Sequence, residues 1–191
     1  MLAGIYMGTI SMWNDPLIVA ANGLNGQYLP NKPIMVVARS GSTDANGIFL
    51  RFLALNSPAF QKMYTYGGGG KYYRAFNFAT LQAAGRLILV TQNTHVDSQV
   101  IAGDGTFGYF LQTYKPTSNI ASFCADAVCA TPVVNPADNG KSIQLCRLDT
   151  KTVYNPSPQV FSYDLMISST PGCYPVVGSV DLSIYGYQVR V

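Results

Sequence analysis

Apolar residues fall into short blocks along the chain, and their spacing switches between the period of a strand and that of a helix. Ile34 to Ala38 is a mostly apolar run with two valines, which predicts a buried strand. From Ile48 the spacing is helical: Ile48, Phe52 and Leu55 share one face, widened by Phe49 and Leu53. Between the two, Arg39 to Asn46 holds only small and polar residues, the vocabulary of a turn. Ser42 or Thr43 can cap the helix, and Asp44 sits in its first turn.

The flanking pattern repeats this alternation. Leu2 to Met7 predicts a short helix stopped near Gly8. Trp13-Asn14-Asp15-Pro16 predicts a helix start, and Asn22-Gly23 its end. Trp13 reads as a lid on the core, and Gly23 to Lys32 as a polar loop. Ser57-Pro58 breaks the long helix, with Phe60 and Met63 expected to pack beneath it. Helices are expected at Asn77 to Ala84 and Asp97 to Ala102, and strands at Arg86 to Thr91 and Thr106 to Leu111. Three further strands, Ser142 to Leu148, Val160 to Ile167 and Ser179 to Val191, are expected to close the sheet. The fold class predicted is α/β, a mixed sheet flanked by helices, as one domain over residues 1–191. Lys115 to Lys141 is rich in Pro, Ser, Asn and Ala and reads as an irregular insert, longer than an ordinary connection.

A strand that feeds a small-residue turn into a helix start presents free backbone N–H groups at the positive end of the helix dipole. That is a natural seat for an anion. Arg39, at the end of the strand, adds a fork of donors suited to a carboxylate or a tetrahedral oxyanion. The candidate ligand-binding residues are therefore Arg39, Ser40, Gly41, Ser42 and Thr43.

The segment Leu2-Ala3-Gly4-Ile5-Tyr6-Met7-Gly8-Thr9-Ile10-Ser11-Met12-Trp13-Asn14-Asp15-Pro16 and the strand running into Arg39-Ser40 resemble the second lobe of the phosphate-binding proteins that serve ABC transporters. The helix before Gly105-Thr106-Phe107-Gly108-Tyr109 and the later Tyr174-Pro175 are similar to the same lobe. The resemblance covers about the first 115 residues and the last 20, and leaves the insert unmatched. It implies one lobe of a periplasmic-binding-protein-like fold whose turn holds phosphate. Arg39 and Ser40 match the family's turn, whereas Gly41 stands where the family has a proton-accepting Asp and Thr43 where it has a ligand Ser. Asp44 and Ala45 replace a Gly and a Thr, so the scaffold is kept and the site is eroded.

Composition narrows the surroundings. Charged residues make up 11% of the chain, against roughly 25% in an average soluble protein, and all nine acids are Asp. Sparse charge with 13 Tyr and many Gly, Ser, Thr and Asn suits an extracellular, cell-surface or periplasmic setting. A net charge of +3 is too small and scattered for nucleic acid. No apolar run reaches the ~18 residues of a membrane span, and no signal peptide is visible.

Cys124, Cys129, Cys146 and Cys173 suit two disulfides, of which 124–129 with 146–173 is the simplest of three connectivities. Buried free thiols are the bland alternative, and four-thiolate zinc at such irregular spacing the remote one. The four glycines at 67–70, flanked by Tyr66 and Lys71, read as a flexible hairpin tip or a mobile binding loop, and not as a Walker loop. His95, among polar neighbours, reads as a plain loop histidine.

Two functions follow. One is an extracellular binding domain for phosphate or another small oxyanion, needing no cofactor and completed by a second lobe or another protein chain. The other is a structural or protein-interaction module of an extracellular assembly or receptor, with the ligand site lost. No paired carboxylates, metal set, Ser-His-Asp order or Cys-His pairing is present, so the expectation is that the chain is not an enzyme.

Overall fold

The computed structural model describes residues 1–41, 43–63, 78–110, 118, 123–124 and 133–134, with backbone alone at 24–25, 44, 123–124 and 133–134. The elements, in chain order, are α1 (Leu2–Met7), α2 (Pro16–Ala21), a 3-10 helix (Gly23–Tyr28), β1 (Met35–Arg39), α3 (Asp44–Asn56), α4 (Pro58–Met63) and α5 (Ala79–Ala83). They are followed by β2 (Leu87–Val90), α6 (Asn93–Ala102), β3 (Thr106–Gly108), β4 (Phe123–Cys124) and β5 (Val133–Val134).

Local chemistry sets the helix boundaries. Gly8 ends α1 in a left-handed conformation at φ 83°, which an L side chain rarely adopts. Asp15 caps α2 by accepting from Leu17 N, with Pro16 in the first turn. Thr43 caps α3 by accepting from Asn46 N. Ser57 ends α3, and its hydroxyl then accepts from Phe60 N to start α4.

The three main strands form a parallel sheet in the order β2-β1-β3. Val36 pairs with Leu87 on one side of β1 and with Phe107 on the other. Successive side chains of a strand face opposite ways, and β1 is buried on both faces. Ile34, Val36 and Ala38 join a cluster with Tyr6 of α1, Phe49 and Leu53 of α3, Phe60 of α4 and Leu81 of α5. Val37 turns to the other face, which α6 covers through Val96. Ile18 of α2 joins the same cluster, so helices flank both faces of the sheet in an α/β arrangement, and the described three-stranded sheet is parallel where a mixed one was expected. A separate antiparallel pair, β4 and β5, lies within the segment expected to be an irregular insert.

Several expectations need adjustment. Gly23–Tyr28 is a 3-10 helix and not a loop. The buried stripe of α3 is Asn46, Phe49, Leu50 and Leu53, with Phe52 beside it, whereas Leu55 is 48% exposed and Ile48 only half-buried. Phe60 packs beneath α3 as expected, but Met63 is 47% exposed. The helix expected from Asp97 begins at Asn93, so His95 lies on its exposed face and not in a loop. The glycine run at 67–70 and the strands expected beyond Ser142 lie outside the described residues.

Candidate functional site

The carboxyl ends of the three parallel strands converge on one edge of the sheet. β1 delivers Arg39 and Ser40, β2 leads through Thr91 to Asn93 at the start of α6, and β3 leads to Tyr109. The chain leaves β1 for β2 on one side and returns past β1 to β3 on the other. Such a reversal of strand order opens a crevice between the outgoing loops, where ligands of open α/β sheets bind.

Arg39 lies half-buried at this edge. Its Nη1 donates to Asn93 Oδ1 at 2.6 Å and its Nη2 to the Thr91 carbonyl at 2.7 Å. Its Nε is buried with no hydrogen-bond partner among the described residues. The guanidinium therefore stitches β1 to the β2–α6 connection and keeps donor capacity to spare, since it carries five N–H groups. Ser40 N and Oγ both donate to the Val90 carbonyl, at 2.8 and 3.2 Å. Gly41 is exposed at φ +80°, with open space where a Cβ would stand.

Asn46 organises the turn. Only 1% exposed, it donates from Nδ2 to the carbonyls of Arg39 (3.0 Å) and Gly41 (2.8 Å). Its Oδ1 accepts from the Tyr109 hydroxyl at 2.6 Å. The Tyr109 ring stacks on Phe49 at 4.1 Å and 14°. Burial raises the ionisation of Tyr109 above its usual value, outweighing the opposite pull of Arg39, so its O–H stays a donor at neutral pH.

The expected ligand residues thus divide. Arg39, Ser40, Gly41 and Thr43 are brought together around the turn. Ser42 lies outside the described residues, as does the side chain of Asp44. Cys124 sits on β4, while Cys129, Cys146 and Cys173 and all four cysteine side chains lie outside the described residues. Among the described residues no cluster of three or more metal-binding side chains occurs, and no helix is long and apolar enough to cross a membrane. Sequence reasoning missed Asn46, Asn93 and Tyr109. Their signals were the place of Asn46 three residues after the Thr43 cap, whose hydroxyl accepts from Asn46 N, and the polar or aromatic residue that follows each strand.

No protein-family model matches the chain. Two proteins of Acanthamoeba polyphaga mimivirus, each bearing a serine/threonine-protein kinase/receptor name, are similar to it. One, R818, is 30% identical over 128 residues, covering 63% of this chain and 7% of the relative. The other, R831, is 41% identical over 58 residues, covering 30% of this chain and 4% of the relative. The chain spans less than a tenth of the length of either. The R818 match corrects the expectation that the chain is not an enzyme. That expectation rested on the lack of a catalytic set within 191 residues, and a block of this size need not hold the reactive groups of a kinase-named protein that it matches.

Proposed function

We propose that this chain is a ligand-binding lobe, similar to the second lobe of phosphate-binding proteins, that takes phosphate or another small oxyanion in the crevice beside Arg39. The observation that carries this is the position of Arg39. It ends the central strand of a parallel sheet where the strand order reverses, beside the capped start of α3. Spare guanidinium donors and the positive end of a 13-residue helix both favour negative charge there. The receptor part of the relatives' names fits a lobe that receives a ligand outside the cell, completed by a second lobe or another chain. In a protein built like them, serine/threonine kinase activity would be the response that such a lobe governs.

Calorimetric titration with phosphate at low salt tests this on the chain and two variants. The wild type is expected to bind. Arg39→Ala should abolish the heat while circular dichroism stays unchanged, and Asp44→Gly should tighten binding by removing a carboxylate from the first helical turn. Equal affinity in Arg39→Ala would refute the site.

A second reading, a protein-interaction module, is favoured by one observation. Leu17, Tyr28, Leu89 and Ile101 are each at least half exposed among the described residues. Silence of both the wild type and Asp44→Gly in the titration would select it.

A further inference from the structure

The carbonyls that Asn46 binds flank the peptide between Ser40 and Gly41, so one buried amide fixes the planes on both sides of the exposed bend. Ser40 N is simultaneously tied to the Val90 carbonyl. The peptide joining Arg39 to Ser40 is therefore held at both its C=O and its N–H, by α3 and by β2. The Asn46 amide is itself oriented. Its two carbonyl partners require the NH₂ on one side, and the Tyr109 hydroxyl, which donates, requires the oxygen on the other. Tyr109 is fixed in turn by its stack on Phe49, one helical turn beyond Asn46 on the same stripe of α3. The chain of contacts runs from the end of β3 through Asn46 to the bend, and back into α3.

We propose that Asn46 and Tyr109 are positioning residues that hold Arg39 to Gly41 in their ligand-presenting shape and link that shape to the end of β3. As far as ligand affinity is concerned, this rests on the oxyanion reading above; the hold on the turn does not. Asn46→Asp keeps the size of the side chain but replaces the donor with acceptor oxygens facing two carbonyls. Lowering the pH restores one O–H donor, so the defect should be reversible by acid. Tyr109→Phe keeps the ring stack and removes only the hydroxyl.

The test is amide hydrogen exchange, resolved by residue, on the full chain and both variants, with phosphate titration alongside. In Asn46→Asp at pH 7.5, exchange at Ser40, Gly41 and Thr43 should rise at least tenfold, while Tyr6 of α1 and Leu53 of α3 hold their protection. After correction for the intrinsic pH dependence, that excess should shrink at pH 4. Tyr109→Phe should give a smaller rise at the same amides. Phosphate affinity should fall at least tenfold in Asn46→Asp. Unchanged exchange at the turn in both variants would overturn the proposal, as would a rise spread evenly over the molecule. Were the wild type to bind no phosphate while the exchange pattern held, the oxyanion reading would fail and the positioning role would stand.

Discussion

Tyr6 is a deeply enclosed aromatic residue, 1% exposed, edge-on to Phe49 at 5.0 Å and packed beside Phe78, Phe107 and Tyr109. Its hydroxyl has no hydrogen-bond partner among the described residues. A buried hydroxyl without a partner costs more than it returns, typically about 1–3 kcal/mol. Tyr6→Phe should therefore leave stability at neutral pH unchanged or raise it by about 1 kcal/mol, read from urea midpoints. Burial, and after it Tyr109, holds Tyr6 protonated well above its usual 10.0. The unfolded chain ionises first as pH rises, so the folded form binds more protons and loses stability from about pH 10 upward. Tyr6→Phe should show a shallower loss than the wild type between pH 9 and 11. Parallel curves would mean that the Tyr6 hydroxyl reaches solvent. At this scale the sequence was least informative. Arg39 was legible because a cation just past an apolar run stands out. Asn46 was not, because an Asn among Ser, Thr and Gly reads as one more turn residue.

Among the elements, α3 shows how such a misreading spreads. Asn46, Phe49, Leu50 and Leu53 form a stripe with the spacing of one helix face, but its first member is polar. Reading only the apolar members shifted the inferred face toward Ile48 and Leu55. The start of α6 was misplaced for the same reason, since Asn93 is 6% exposed and held by Arg39 although its residue type suggests a loop. Strands β1 and β2 and the helix ends at Gly8, Asp15 and Thr43 were legible, because the two strands are compact apolar runs and the three end residues suit few other local structures, whereas β3 stops at Gly108, short of the expected Leu111. Gly108 belongs to this scale too. A Cβ there would stand 2.8 Å from Val96 Cγ1 of α6 and 3.0 Å from the Val37 carbonyl of β1. Gly108→Ala should cost roughly 1–3 kcal/mol by pushing α6 from the sheet. The urea midpoint checks this, and a loss under about 0.5 kcal/mol would mean that α6 is loosely seated.

For the molecule as a whole, the two ends of the sheet are built on different terms. At the amino end Arg86 is 8% exposed, and its guanidinium donates to the carbonyls of Gly8, Ile10, Ser11 and Ile34 at 3.2–3.4 Å. One cation thus joins the exit of α1, the segment after it and the approach to β1. Arg86→Leu would remove the donor these four carbonyls share, leaving Ser11 its bond from Ile34 N, and should cost roughly 2–4 kcal/mol, with Arg86→Lys recovering part. Equal urea midpoints for Arg86→Leu and the wild type would show that water satisfies the carbonyls as well. Trp13 belongs to the same end, its Nε1 donating to the Gly105 carbonyl at 2.9 Å and its ring edge-on to Phe107 at 6.3 Å. It is the single tryptophan of the chain. Its emission is consequently a built-in optical gauge of the amino edge, with β3 running from beside the indole to Tyr109 at the opposite edge. A ligand that settles at the carboxyl edge without disturbing β3 should leave that emission dark to the event, whereas a shift in wavelength on binding would mean that β3 carries the signal along its length.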